Sequence, residues 1–247
     1  MIDRSEVLTL VPAAGRGSRL GGNCPKVFTP ITEKDTIWSI LFTKLKHISN
    51  NHCIILNSKT YEDYKDCLDP NLKVAFQDDP IGMGDAIFQG AKFFEDHRFL
   101  VVVWGDQVHV SQNTFEQVVS SYNGKENQIV LPLVKKTDPY VEYMFDNGIL
   151  KQIKQQREGD NTSPGGLSDI GEFGLSITGL ESCWSEFLQN CTTGNQTGEI
   201  NFLPFLSFLS TTKKWNVSKI MIDDEDESRG INTQEDLKYF RDMYERT

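Results

Sequence analysis

The stretch from Leu8 to Lys26 constrains this chain more than any other. Leu8-Thr9-Leu10-Val11-Pro12 is an apolar run of strand length. It opens directly into Ala13-Ala14-Gly15-Arg16-Gly17-Ser18-Arg19, with Pro25-Lys26 just beyond. A strand that empties into a glycine loop belongs at the carboxyl edge of a parallel sheet, where α/β folds bind their ligands. Gly15 and Gly17 let the backbone approach a ligand closely, so successive N–H groups can converge on phosphate oxygens. Arg19 adds a fixed fork of donors and Lys26 a mobile point charge that can follow an α-phosphate during displacement. The pattern implies a triphosphate site. It lacks the Gly-Lys-Ser/Thr ending of a P-loop, and its Gly-x-Gly-x-x-x-Gly spacing disfavours a dinucleotide fold.

Strand-like and helix-like segments alternate after the loop, as a mostly parallel sheet flanked by helices requires. Helices are expected over 36–48, 61–68 and 85–94, and strands over 53–56, 72–77 and 99–104. In the second half, a strand over 128–134 precedes a hairpin over 141–156, turning at Asp146-Asn147-Gly148. Residues 157–168 are polar and rich in turn formers, which predicts a mobile loop or lid. A strand over 172–178, a helix over 199–209, a short strand over 220–222 and a helix over 235–244 complete the expected order. The fold class expected is a Rossmann-like three-layer αβα sandwich with a mixed, mostly parallel sheet and an inserted β-hairpin. One domain over 1–247 is expected, residues 1–110 forming a nucleotide-binding half and 111–247 an acceptor-binding half.

The formal charge is −10 across 247 residues. That field excludes nucleic acid and anionic membranes as partners, so a triphosphate must be met by a local basic patch with a metal. The five cysteines are irregularly spaced without Cys-x-x-Cys, and His47, His52, His97 and His109 lack metal-ligand spacing. Both points argue against zinc and for reduced thiols in a cytoplasmic protein. No apolar run approaches the roughly 20 residues of a membrane span.

Trp104-Gly105-Asp106 closes the apolar strand over 99–103, aiming the Asp106 carboxylate at the same sheet edge. A hard divalent ion takes one or two protein oxygens plus phosphate oxygens and waters, so Mg²⁺ is the expected cofactor. The alternative for Asp106 is a helix cap, a task that Ser111 could also perform. Gln77 precedes a second glycine loop, Pro80-Ile81-Gly82-Met83-Gly84, that opens a helix. Its amide can pair with a pyrimidine edge, but an amide free to flip does not separate uracil from cytosine. The acidic run Asp223-Asp224-Glu225-Asp226-Glu227 reads as a solvated loop.

Together these segments resemble the nucleotidyltransferase superfamily that activates phosphorylated sugars and alcohols. Ala13 to Arg19 with Pro25-Lys26 is similar to its signature loop. Gln77 with Gly82-Met83-Gly84 is spaced like the base-reading segment of the N-acetylglucosamine-1-phosphate uridylyltransferases. Gly105-Asp106 resembles the metal aspartate, Gly198-Glu199 the Gly-Glu that opens a late helix, and Gly230-Ile231-Asn232 the second metal ligand. The resemblance implies Mg²⁺ on Asp106 and Asn232, and attack of a substrate phosphate on the α-phosphorus of UTP or CTP. Arg19 and Lys26 would then offset charge on the α-phosphate and leaving group. The opening also looks like that of the methylerythritol-phosphate cytidylyltransferases, which keeps CTP and a non-sugar alcohol phosphate open. A nucleotide-sensing domain without turnover is the alternative of another class. On the acceptor side the resemblance weakens: Gly171-Glu172-Phe173 replaces the usual Asn-Thr-Gly, and Lys154 stands near the usual acid. Glu172, Lys154 and Glu199 are the acceptor-binding residues expected, and a homodimer is allowed. The hexapeptide-repeat domain of bifunctional relatives is expected to be absent.

Overall fold

The computed structural model describes residues 2–15, 20, 24–191 and 193–245. The first strand, β1 (Val7–Pro12), is buried along its whole length, as a central parallel strand covered on both faces must be. It pairs in parallel with β2 (Asn51–Leu56) and β4 (Phe99–Val103), and β2 pairs in parallel with β3 (Lys73–Phe76). Beyond β4, the strand β9 (Glu172–Ser176) runs antiparallel to both β4 and β5 (Gln128–Lys136). The last strand, β10 (Asn216–Met221), lies parallel to β5 at the sheet edge. The order is β10-β5-β9-β4-β1-β2-β3, with β8 (Gly166–Asp169) antiparallel to β5. The two expected halves therefore share one sheet, because β9 and β5 extend it past β4. The inserted hairpin is present as β6 (Val141–Asp146) and β7 (Ile149–Gln155), with Asn147 and Gly148 both at positive φ in its turn.

Alternation along the strands sorts the core into two layers. Leu8, Leu10, Leu100 and Val102 pack toward α3 (Met83–Gln89), α5 (Leu180–Asn190), α6 (Leu203–Thr211) and the hairpin. Val7, Val11, Val101 and Val103 face α1 (Ile37–Leu45) and α4 (Gln112–Ser120). A third cluster gathers Ile231, Leu237 and Phe240 under α7 (Gln234–Tyr244). The sandwich and its mixed sheet match the expected class. No helix among the described residues is long and apolar enough to cross a membrane, and all five cysteines are unpaired.

Several local expectations are corrected. The late helix begins at Leu203 rather than 199, because Ile200 is tied as an extended segment to the second glycine loop: its N–H donates to Ile81 O at 2.8 Å and its carbonyl accepts from Gly84 N at 3.1 Å. Pro204 then enters the first turn, where a missing N–H costs nothing. The helix expected over 61–68 is α2 (Ser58–Tyr64) followed by a 3₁₀ turn, capped by Asn57. The segment 157–168 is not a lid: a 3₁₀ turn over Gln156–Glu158 and strand β8 hold it, and Glu158 is buried. One helix, α5, goes beyond the expected order, and α4 is the helix for which Asp106 and Ser111 were the alternative caps. Both carried signals, Ser111 as an N-cap for α4 and Leu180, Cys183, Trp184 and Phe187 as the apolar stripe of α5. In the acidic run, Glu227 is buried and accepts from Ser111 N at 3.0 Å, so it is a structural residue and not a solvated one.

Candidate active site

The carboxyl ends of β1, β3 and β4 open into a cavity of about 640 Å³, closed on the far side by residues from the hairpin, β8 and the segment before α6. Lys26, Asp106 and Asn232 come from three distant parts of the chain and meet at one point. Lys26 Nζ donates to Asp106 Oδ2 at 2.6 Å and to Asn232 Oδ1 at 2.9 Å. Each is held by its own device. Lys26 starts a 3₁₀ turn whose Val27 and Phe28 are buried, with Phe28 stacked on Tyr64 at 4.4 Å. Asp106 follows β4 through Gly105, where a Cβ would press on Val27 at 2.9 Å. Ser111 caps α4 through its own hydroxyl, which leaves Asp106 free of that task.

Asn232 is placed by the N-terminus of α7. Asp236 accepts from the N–H groups of Asn232 and Thr233 and pairs with Arg229 at 3.1 Å. Burial works against the Asp236 charge, but these bonds and that of the Thr233 hydroxyl outweigh it and keep the carboxyl below its ordinary range. Gly230 lets this segment close on the aspartate, since a Cβ there would lie 3.0 Å from Asp106 Cγ. Behind the loop, Lys44 Nζ ties down the carbonyls of Val108 and Val110 at 2.7 and 2.8 Å.

These residues fit a divalent ion. A single ammonium already brings the oxygens of Asp106 and Asn232 to one cation-sized point, and one carboxylate with one amide oxygen is a donor set for Mg²⁺ that keeps phosphates and waters. Among the described residues no closed cage of three or more acidic, His or Cys ligands exists.

Of the first loop, Ala13, Ala14 and Gly15 line the cavity. The Ala13 N–H is spent on Ile55 O at 2.8 Å, whereas a Cβ on Gly15 would meet nothing within 4 Å. Among the described residues nothing packs against that position of Gly15, which lines the cavity. Gly17, Ser18 and Arg19 lie outside the described residues.

Gln77 stands at the end of β3, 6% exposed and facing the cavity. Its Nε2 donates to Gly82 O at 3.0 Å and to Asp85 Oδ2 at 2.7 Å. Both amide hydrogens are thus used, which fixes the amide against flipping, and its carbonyl makes no hydrogen bond among the described residues. Gly82 and Met83 line the cavity, but Gly84 does not. Gly84 is glycine because a Cβ would strike the Trp184 ring at 2.4 Å. Gly82, at φ +142°, is crowded by Ile200 at 2.4 Å, and its N–H finds no acceptor among the described residues.

The acceptor-side expectations divide. Glu199 lines the cavity and pairs with Arg157 Nη2 at 2.7 Å. Glu172 is fully buried in β9, both oxygens without a partner among the described residues, and burial pushes its carboxyl well above the ordinary range. It points into the sheet core, as does the side chain of its cross-strand partner Val103, and does not reach the cavity. Lys154 is spent on Glu142 at 3.4 Å and also lies off the lining. Sequence reasoning missed Arg157, Asn201, Asp169 and Gln107, which do line it. Arg157 is fixed by Glu199, by Asn201 Oδ1 and by Glu158 at 3.3 Å. Burial disfavours the Glu158 charge, but donors from Thr197, Gln196 and Asn201 hold its carboxyl at about 2.

A family model described as a MobA-like NTP transferase domain matches residues 9–169. The chain belongs to that family. This NTP transferase domain is 25% identical over 231 residues to the bifunctional protein GlmU of Wolbachia sp. subsp. Brugia malayi (strain TRS), covering 92% of this chain and 55% of that protein. To GlmU of Mycobacterium leprae (strain Br4923) it is 24% identical over 250 residues, covering 96% and 50%. The chain thus spans about half the length of the curated relatives it matches. Two solved structures share the fold. A candidate glucose-1-phosphate thymidylyltransferase from Bacillus anthracis, in complex with a sucrose, superposes with a TM-score of 0.74 at 16% identity, covering 96% of this chain and 94% of that one. The 4-diphosphocytidyl-2C-methyl-D-erythritol synthase of Anaerococcus prevotii DSM 20548 gives 0.68 at 13% identity, covering 99% and 98%.

Proposed function

We propose that this domain is a Mg²⁺-dependent nucleotidyltransferase that moves a uridylyl or thymidylyl group onto a phosphorylated sugar and releases pyrophosphate. The convergence of Lys26, Asp106 and Asn232 on one cation-sized point, at the mouth of the strand that feeds the glycine loop, carries the reading. A phosphate monoester dianion is already a nucleophile, so no general base is required. One acceptor phosphate oxygen bonds to the α-phosphorus, the bond from that phosphorus to the bridging oxygen breaks, and the electron pair leaves with pyrophosphate. Positioning and charge neutralisation then supply the rate. Asp106 and Asn232 would hold the Mg²⁺, which when bound neutralises charge on the phosphates. Lys26 is within reach of the same point and can pass from the protein oxygens to the α-phosphate. Gly15 leaves room for the polyphosphate beside β1.

The base choice follows from hydrogens already spent. Gln77 offers only its carbonyl, and Gly82 offers an N–H. Uracil and thymine present the complement, N3–H and O4, whereas cytosine inverts both with a bare N3 and an amino group. A site of buried, directed hydrogen bonds rejects the inverted partner strongly. In a pyrophosphate-release assay over UTP, dTTP, CTP, ATP and GTP with a panel of phosphorylated sugars and alcohols, UTP or dTTP should exceed CTP by about a hundredfold in kcat/KM. Asp85→Asn, which frees the Gln77 amide to rotate, should narrow that ratio by about tenfold. A wild-type preference for CTP would refute the base assignment and leave the transfer chemistry standing.

A further inference from the structure

We infer that the Gln107 side-chain amide is an acceptor ligand, reading the hydroxyl next to the acceptor phosphate; the inference rests on the transferase reading above. Gln107 directly follows Asp106, lines the cavity and is only 6% exposed. Its backbone is pinned by a bond from its N–H to Trp104 O at 3.1 Å, yet its side chain makes no hydrogen bond among the described residues. Oε1 is enclosed without a partner. A buried amide left unpaired is costly, and turning it over only exchanges which end is unpaired. Oε1 is the enclosed end, so Nε2 is the end of the amide that a ligand in the cavity can reach.

Two glycines are arranged around this amide. Gly171, at φ +76°, comes so close that a Cβ would lie 2.6 Å from Gln107 Cγ and 2.8 Å from Nε2. A Cβ on Gly230 would lie 3.0 Å from the same Nε2 and 3.1 Å from Asp106 Oδ2. Any side chain at 171 therefore competes with Gln107 for one place, and Gln107 holds it. The shared contact at Gly230 sets the amide beside the Asp106 carboxylate, where the acceptor phosphate must arrive. An amide both donates and accepts, as a hydroxyl does, so a hydroxyl on the carbon adjoining the phosphate-bearing carbon is the group it matches.

The test compares wild type with Gln107→Ala, using glucose 1-phosphate, N-acetylglucosamine 1-phosphate, glycerol 3-phosphate and 2-deoxyglucose 1-phosphate. For the acceptor that wild type uses best, the variant should raise KM at least tenfold while the nucleotide KM stays within twofold. Wild type should disfavour 2-deoxyglucose 1-phosphate against glucose 1-phosphate, and the variant should lose that difference. An unchanged acceptor KM, or equal rises in both KM values, overturns the inference with the transferase reading intact. If wild type releases no pyrophosphate with any acceptor, it is the transferase reading that fails. Gln107 is then judged by its side-chain NH₂ signal in a ¹⁵N spectrum, identified by its loss in Gln107→Ala. A shift on adding glucose 1-phosphate upholds the contact, and no shift with any of the four compounds overturns it. Gly171→Asn, a residue that tolerates positive φ, should lower the Tm, and adding Gln107→Ala should restore it; failure to restore rejects the shared place.

Discussion

Asp106→Ala should lower pyrophosphate release by about a thousandfold while nucleotide affinity changes little. The expectation follows from where the side chain spends its bonds. Asp106 Oδ2 meets Lys26 Nζ, and no other side chain bonds to that carboxylate among the described residues, so its removal leaves the fold supported by Gly105, Gly230 and the bond from Ile231 N to the Asp106 carbonyl. The proposed base contacts, Gln77 and Gly82, lie on the far side of β1 and make no hydrogen bond to it. What is lost is the charge that would fix the cation against the leaving phosphates. Turnover measured beside calorimetric binding of UTP checks this. A variant that turns over within tenfold of wild type would remove Asp106 from the chemistry. A sensing domain would give a different result again, with nucleotide bound and no turnover in the wild type to lose. Asp106→Asn separates charge from shape: it keeps an oxygen facing Lys26, so if charge is what matters it should be nearly as inactive as the alanine variant.

The residues that were legible in advance are those whose role is local. The strand from Leu8 to Pro12 and the loop after it share one short segment, and Asp106 sits at the end of an apolar strand, so their place at the sheet edge follows from period and punctuation. The far wall of the cavity is different, because it is assembled by long-range pairings. Arg157 acquires its position from Glu199 and Asn201, more than forty residues later in the chain. The loop read as a lid is ordered for the same reason, since Glu158 is satisfied by donors from 196–201 that spacing does not reveal. Gln77 shows a subtler limit. Its proximity to Gly82 was readable, but that Asp85 takes an amide hydrogen and so decides which edge remains is a fact of three-dimensional packing. Lys154 and Glu172 were misread because the strand period alone does not say which face meets the cavity. In β9 the residue opposite Val103 faces the core.

Glu172 carries the second large effect, on stability. Its carboxyl is fully enclosed on the α1/α4 face of the sheet, both oxygens are unpaired among the described residues, and burial together with the nearby Glu227 carboxylate pushes its pKa well above the ordinary range. In the unfolded chain the same group ionises near its usual pKa. Because the folded state keeps the proton longer, this residue's contribution is fully present below the ordinary carboxylate range and is lost as pH rises toward the folded pKa. The loss runs at about 1.4 kcal/mol per pH unit for one proton. Glu172→Met fills a similar volume without polar atoms and should be more stable than wild type by about 1–3 kcal/mol at pH 5. The gain should grow from pH 5 to pH 8. Urea unfolding of both proteins at pH 5, 6.5 and 8 isolates this group, since all other titrations cancel in the difference. A difference that stays constant with pH would mean that the carboxylate is already ionised in the fold and has found a cation. A loss of stability in the methionine variant would mean that one of its oxygens holds a hydrogen bond on which the β4/β9 pairing depends.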